Sequence, residues 1–125
     1  MKKFFLGIIS HKGSTKREGQ RNSLLLQNHP GFIWYHFIGD PGQAEEFIVN
    51  EDERIVYLKV PDNYESLPLK TMMIVKFANL NLSKTGVDYY ISRGAKETQD
   101  LIAISNFLIG CVLNLGISTG SVKPM

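Results

Sequence analysis

Two polar stretches of the sequence carry side chains that suit an anionic ligand. Residues 11–17 form a basic stretch that contains a glycine, and Arg21 follows one helical turn later. Residues 62–71 begin with Asp62, include Lys70 and connect two apolar runs. Backbone amides at the start of a helix, supported by cations, bind phosphate groups. The residue types therefore favour an anion site, with a solvated basic turn as the alternative for residues 11–17.

Other kinds of chemistry have little support in the sequence. The basic stretch lacks the lysine–serine ending of a Walker loop and the glycine pattern of a dinucleotide-binding fingerprint. No serine lies in a nucleophile elbow, and Cys111 is expected to be a core residue of an apolar helix. A single cysteine excludes an internal disulfide and a cysteine-based zinc site. The histidines (His11, His29 and His36) are irregularly spaced and indicate no metal cluster.

Composition limits the class of protein. The chain has 125 residues, enough for one small domain with a single hydrophobic core. An apolar fraction of 43% and a charged fraction of 21% are ordinary for a globular protein. The net charge is +2, so binding to nucleic acid is not expected.

The polar stretches lie between apolar runs that alternate with helical patterns. Continuous or alternating apolar runs predict strands, whereas a spacing of three to four residues predicts helices. The predicted strands are residues 4–9, 32–38, 54–60 and 87–92. The predicted helices are a helix capped by Ser14 or Thr15 that runs to Asn28, a short acidic helix at 43–50, a helix capped by Ser66 that runs to Leu80, and a last apolar helix entered through 94–99.

Alternation of strands and helices predicts one α/β domain over residues 1–125, with a mostly parallel sheet flanked by helices. In such sheets, ligands bind beyond the carboxyl ends of the strands. The site is therefore expected among residues 10–17, residues 39–40, residues 62–64 and the segment that follows Ser92.

Each end of the chain contains an apolar segment with two interpretations. Residues 1–9 resemble the opening of a secretory signal, but no small-residue cleavage site follows, and a first buried strand is favoured. Residues 101–122 carry no charge, yet their strongly apolar part is shorter than the roughly 20 residues that span a bilayer. A buried helix is favoured there, and membrane association remains open.

The order of these segments resembles the beta-1,3-galactosyltransferase and N-acetylglucosaminyltransferase family, which is related to the Fringe proteins. Residues 16–24, K-R-E-G-Q-R-N-S-L, follow the family pattern R-R-x-A-I-R-x-T-W, with leucine in place of the tryptophan. Residues 37–39 match a strand that ends in a leucine–glycine pair. Residues 62–71, D-N-Y-E-S-L-P-L-K-T, match the motif D-S-Y-x-N-L-T-L-K-T at six positions. The resemblance covers residues 3–92, and residues 93–125 form a divergent tail.

The resemblance implies a nucleotide-sugar-binding half of the GT-A type, which is Rossmann-like. It implies a hexosyltransferase that moves a sugar from a UDP-sugar to a glycan or a protein-linked acceptor. Ser10, Arg17 and Arg21 would lie near the uridine and the diphosphate, and Asp62 and Lys70 would shape the nucleotide pocket. The family resides in the Golgi, whereas the chain as written is expected in the cytoplasm.

One departure from the family concerns its metal ion. The family places an acidic triplet that holds Mn²⁺ directly after a strand of the type D-F-V-L-K-T, whereas this chain has Gly94, Ala95 and Lys96. By this resemblance, the metal ligands and the acceptor-binding half of the family are expected to be missing, and the catalytic residues are unknown. A truncated or frame-shifted product, or a decayed paralogue, would have such an ending, and little or no transfer activity is expected.

Two other functions remain open. A non-catalytic nucleotide-binding or interaction module would bind UDP without dependence on a metal. An unrelated α/β signalling or scaffold domain would share the motif by accident, and replacing Asp62 and Lys70 by alanine would then leave ligand binding unchanged.

Overall fold

The computed structural model describes residues 3–82, 89–94, 98–112 and 123–124. The strands are β1 (Phe4–Ile9), β2 (Phe32–Gly39), β3 (Phe47–Asn50), β4 (Ile55–Leu58), β5 (Tyr89–Gly94) and β6 (Lys123–Pro124). The α-helices are α1 (Arg17–Leu25), α2 (Leu67–Phe77) and α3 (Thr98–Val112). A short 3₁₀ turn, Tyr64–Ser66, leads into α2, and a π turn, Ala78–Leu82, follows it.

The strands form one sheet in the order β3-β4-β2-β1-β5-β6. The four inner strands run parallel, whereas β3 and β6 pair antiparallel with β4 and β5. The predicted α/β architecture with a mostly parallel sheet is therefore confirmed.

Side chains of the inner strands are buried on both faces of the sheet. On one face, Leu24 of α1 and Leu101 and Leu108 of α3 pack against residues such as Leu6 and Trp34. On the opposite face, α2 packs over the sheet through the side chains of Ile74 and Phe77. Continuous apolar runs are typical of strands covered on both faces, which explains why β1 and β2 were predictable from sequence.

Gly7 allows α2 to lie close to the middle of β1. A Cβ atom at Gly7 would lie 2.7 Å from Cγ2 of Ile74, which is nearer than side chains normally approach. Because Gly7 has no side chain, α2 packs directly against β1. The loop before α2 therefore lies near the end of that strand.

The order of the strands creates a crossover point beside β1. From β1 the chain proceeds through α1 to β2 and then to β4, and it returns past β1 to form β5 on the other side. Because α1 and α2 cover opposite faces, the loops that lead into them, after β1 and β4, diverge at the carboxyl edge. Such a point leaves a crevice in which α/β proteins bind ligands.

The predicted acidic helix at residues 43–50 is wrong. Residues 47–50 form β3, and its register pairs Phe47 with Leu58 and Val49 with Val56. Aromatic and β-branched residues favour strands, and the long-range pairing with β4 satisfies their backbone groups. Gln43 lies in the preceding loop, where its side-chain amide donates to the carbonyl of Tyr57 at 3.0 Å.

The predicted cap of the first helix is also wrong. The N-cap residue of α1 is Lys16, and no side chain caps it, so neither Ser14 nor Thr15 has that role. The helix ends at Leu25 rather than at Asn28.

Ser66 is the N-cap residue of α2, as predicted, but its side chain makes no capping hydrogen bond. The side chain of Asn63 instead accepts a hydrogen bond from the backbone N–H of Ser66 at 2.9 Å, which organises the turn before the helix. Pro68 lies in the first turn, as expected, because no intrahelical donor is needed there.

The apolar ends of the chain differ in how much of them is described. Residues 4–9 form a central strand, and α3 packs into the core through Leu101 and Leu108. Residues 113–122 lie outside the described residues. Within the described ranges, no helix has the length and apolar character needed to cross a membrane.

Candidate functional site

Asp62 and Lys70 form an ion pair at the carboxyl edge of the sheet. Nζ of Lys70 lies 2.6 Å from Oδ1 of Asp62, and it also donates to the carbonyl oxygen of Ser10 at 3.1 Å. The Lys70 side chain is 4% exposed and that of Asp62 is 19% exposed. Lys70 therefore ties the start of α2 to the end of β1.

The Asp62 carboxylate also holds two backbone amides. Oδ2 accepts from the N–H of Lys12 at 2.7 Å, and Oδ1 accepts from the N–H of Gly39 at 3.0 Å. Burial by itself raises the pKa of Asp62, but the hydrogen bonds from Lys70, Lys12 and Gly39 outweigh it, so the pKa lies below its usual value. The carboxylate therefore remains ionised and joins the ends of β1, β2 and β4.

Gly39 makes this arrangement sterically possible. A Cβ atom at Gly39 would lie 2.7 Å from the carbonyl oxygen of Val60, 2.8 Å from that of Pro61 and 2.9 Å from Cα of Asp62. The segment after β4 therefore passes directly over the end of β2 because no side chain intervenes. The resemblance at residues 37–39 placed Gly39 at the end of a strand, but it did not predict this contact.

Ser10 follows β1 and is held by both of its backbone groups. Its N–H donates to the carbonyl of Phe37 at 2.9 Å, and its carbonyl accepts from Lys70. Ser10 is only 4% exposed, and its hydroxyl has no hydrogen-bond partner among the described residues. A buried hydroxyl left unpaired costs about 1–3 kcal/mol, which a ligand or water that pairs with it would recover.

Two clefts meet at Ser10. The phosphate-side cleft, of about 370 Å³, lies over the β1–α1 loop and is lined by Ile9, Ser10, His11, Gly13, Ser14, Thr15 and Lys16. The ring-side cleft, of about 290 Å³, lies between that loop and the start of α2 and is lined by Ile9, Ser10, His11, Asp62, Asn63, Tyr64, Leu67 and Lys70. Ile9, Ser10 and His11 border both clefts, so the two clefts are adjacent.

Arg17 and Arg21 lie on the far side of the β1–α1 loop from the ring-side cleft. The guanidinium of Arg17 donates a hydrogen bond to the carbonyl of His11 at 2.7 Å, and this contact stabilises the loop. Arg21 lies 4.0 Å from the carboxylate of Glu18. Both arginines line a third hollow of about 570 Å³, which shares Ser14 and Thr15 with the phosphate-side cleft.

The predicted site residues therefore fall into two groups. Ser10, Asp62 and Lys70 lie together, because Lys70 donates to both Ser10 and Asp62. Arg17 and Arg21 are adjacent to this group but lie across the loop.

A buried polar pair under α1 was not predicted from sequence. Nε2 of His36 lies 3.0 Å from Oε1 of Gln20, and both side chains are fully buried. Burial, followed by the charges of Arg17 and Arg21, lowers the pKa of His36 to about 4, so the ring is neutral. A histidine inside an otherwise apolar strand was the signal that a polar partner would face it.

The end of β5 lies beside the end of β1. The register pairs Gly94 with Ile9, so the chain leaves β5 next to the clefts. With Gly94, Ala95 and Lys96 stand where the resemblance leads one to expect an acidic triplet, and these two residues lie outside the described residues.

The described residues do not fit the Mn²⁺ ion that the resemblance implies. Asp62 is the carboxylate that borders the clefts, and both of its oxygens accept hydrogen bonds from N–H donors. Within the described ranges, no group of three histidine, cysteine, aspartate or glutamate side chains could hold a metal ion.

Comparison with models of known protein families and with curated proteins gives no match to this chain.

Proposed function

We propose that this chain binds a UDP-sugar at the carboxyl edge of its sheet, as the donor-binding part of a hexosyl-transferring glycosyltransferase. The observation that carries the proposal is the pair of clefts that meet at Ser10, where the loops after β1 and β4 diverge toward opposite faces of the sheet. Nucleotides bind at this position in open α/β sheets. The motif at residues 62–71, which suggested the donor, supplies Asp62 and Lys70 to the same edge.

The two clefts have the chemical character that the two parts of such a ligand need. Gly13, Ser14, Thr15 and Lys16 offer backbone amides, hydroxyls and a cation to phosphate oxygens. Across Ser10, Tyr64 stands at the rim of the ring-side cleft with 85% of its surface exposed. An exposed aromatic ring beside a cleft can stack on the face of a base.

Asp62 and Lys70 would act by fixing the shape of the site. Their charges satisfy each other, and through Lys12 and Gly39 they hold the loops at their observed separation. Because their polar atoms are already paired, the ligand would be held mainly by groups on the β1–α1 loop and by Tyr64.

For hexosyl transfer, an acceptor hydroxyl must lose a proton to a general base as the sugar moves. We expect the isolated chain to transfer little sugar, because the sequence after β5 lacks the acidic triplet of the family. A glycan or a protein-linked sugar remains the proposed acceptor class.

A non-catalytic nucleotide-binding module is the second candidate function. It is favoured by the hydrogen bonds that occupy both oxygens of Asp62, because that carboxylate serves the architecture of the site rather than a metal ion.

Calorimetric titration of the whole chain with UDP-galactose and with UDP-N-acetylglucosamine, in the presence of Mn²⁺, tests the proposal. We expect saturable binding of at least one donor with one site per chain, and weaker binding of the matching ADP compound. Absence of saturable binding to every UDP compound would refute the proposed function.

A radiolabelled sugar-transfer assay tests whether the chain is more than a non-catalytic module. We expect binding without appreciable turnover. Robust transfer to a glycan acceptor would contradict the expected inactivity and exclude the non-catalytic module.

A further inference from the structure

We infer that the β1–α1 loop holds the diphosphate of the ligand through the Ser10 hydroxyl and without a divalent cation. The inference rests on the proposed function and deepens it. It assigns the phosphates to the phosphate-side cleft and names the buried donor that recognises them.

Ser10 has one group left for a ligand. Its backbone N–H and carbonyl are used by Phe37 and Lys70, which fix its position. Its hydroxyl has no partner among the described residues, although the residue is only 4% exposed and borders both clefts. A serine hydroxyl can take three staggered positions about one bond, so rotation about that bond changes the direction in which it donates. The hydroxyl is thus a donor placed at the boundary between base and phosphates.

The loop around Ser10 is fixed before a ligand arrives. Arg17 donates to the carbonyls of His11 and Lys12 at 2.7 Å and 3.5 Å, and Asp62 accepts from the N–H of Lys12. The first amides of α1 have no partner within the helix, because helical hydrogen bonds begin only one turn later. A loop that is already ordered loses less entropy when it binds an anion.

The charges at the cleft suit an anion better than a metal ion. Lys16 borders the phosphate-side cleft and Lys12 lies on the same loop, while the carboxylate of Asp62 is neutralised by Lys70 and by two amides. A divalent cation would compete with Lys70 for that carboxylate. The negative charge of a diphosphate would instead be balanced by lysine side chains and amides of the loop.

The test uses the whole chain and three probes: UDP, uridine and inorganic pyrophosphate. Each is titrated calorimetrically in EDTA, and UDP is titrated again with excess Mn²⁺. The site variant is Ser10→Ala. The matched control is Ser105→Ala, because Ser105 in α3 is also fully buried, also lacks a hydroxyl partner among the described residues and borders none of the three cavities described. Thermal unfolding checks that both variants remain folded.

The expected result has three parts. UDP binds in EDTA with a dissociation constant within about twofold of that in Mn²⁺, and uridine binds at least about tenfold more weakly than UDP. Ser10→Ala weakens UDP binding by about tenfold, the loss expected for one hydrogen bond to a charged group, and leaves uridine binding unchanged. Ser105→Ala changes neither.

Opposite results separate the inference from the proposed function. UDP binding that appears only with Mn²⁺ would overturn the inference and leave the proposed function standing. An equal loss of uridine and UDP binding in Ser10→Ala would overturn the assignment of the phosphates to Ser10. If no UDP compound binds in either condition, the proposed function fails. Pyrophosphate binding in EDTA that is lost in Ser10→Ala would then still support the anion loop, and its absence would refute both.

Discussion

At the scale of single residues, Asp62 is the group on which the site's geometry depends most. Asp62→Asn removes the charge that balances the buried ammonium of Lys70 but keeps an oxygen for one amide. Breaking a largely buried ion pair leaves a desolvated charge, so we expect a loss of roughly 3 kcal/mol in the free energy of unfolding. Urea denaturation at neutral pH measures it.

The exposed ion pair between Lys76 and Glu46 is the control for this prediction. Their side chains are 51% and 43% exposed, and pairs of that kind contribute less than about 1 kcal/mol. Lys76→Met should therefore change the unfolding free energy much less than Asp62→Asn. Equal losses in the two variants would show that Lys70 and Asp62 do not act as a buried pair.

His36 predicts a pH dependence of stability. Its pKa is about 4 in the folded protein against an ordinary value of 6.5, because burial disfavours the charged ring. Between these two pKa values, the His36 ring is therefore protonated in the unfolded chain and neutral in the folded chain. The contribution of the neutral ring is fully present above pH 6.5 and is lost as the pH falls toward 4, by roughly 3 kcal/mol in total.

Urea denaturation at a series of pH values tests this, with His36→Met as the comparison. The variant is expected to be less stable at neutral pH, because the hydrogen bond between Gln20 and His36 is lost, but its stability should vary less between pH 6.5 and pH 4. Asp62 does not confound this pH window. Its pKa is lowered in the folded protein, so its contribution to the free energy of unfolding is present above its ordinary pKa of 3.8 and is lost below that value. An unchanged pH slope in His36→Met would contradict the assignment.

At the scale of elements, the end of β2 and the segment after β4 fit together through Gly39. Gly39→Ala would place a methyl group within 2.7–2.9 Å of backbone atoms of Val60, Pro61 and Asp62. Backbone cannot rotate away as a side chain can, so we expect a loss of about 1–3 kcal/mol in unfolding free energy together with weaker UDP binding. Denaturation and calorimetry on the same sample measure both effects.

Gly19 in α1 gives the opposite expectation for the same substitution. A Cβ atom there meets nothing within 4 Å, and the position is exposed in the first turn of the helix. Gly19→Ala should therefore stabilise the protein by up to about 1 kcal/mol through helix propensity. If both alanine variants behave alike, the close contact at Gly39 does not govern stability.

The elements differ in how well the sequence predicts them. β1 and β2 are long apolar runs, buried on both faces, and are visible without tertiary information. β3 has four residues, and Ile48 and Val49 are each 41% exposed. β3 forms a strand because it pairs antiparallel with β4. The acidic residues before it favour a helix when only the local sequence is considered, so this pairing could not be predicted.

At the scale of the whole molecule, the sequence predicted that the candidate site residues meet at one edge of the sheet, but not the contacts among them. Parallel strands imply a site at their carboxyl ends, and Ser10, Asp62 and Lys70 do meet there. The hydrogen bonds from Lys12 and Gly39 to Asp62 span 50 and 23 residues of chain. No local pattern predicts such contacts, because they depend on the side-by-side pairing of β1, β2 and β4 in the sheet.

The central claim is that a UDP-sugar occupies the clefts around Ser10, and backbone amide NMR shifts during a UDP titration test it most directly. We expect the amides of residues 10–16 and 62–67 to shift with saturation, and those of Phe4 and Phe32 at the opposite edge of the sheet to remain unchanged. Absence of shifts, or shifts centred on that opposite edge, would contradict the account.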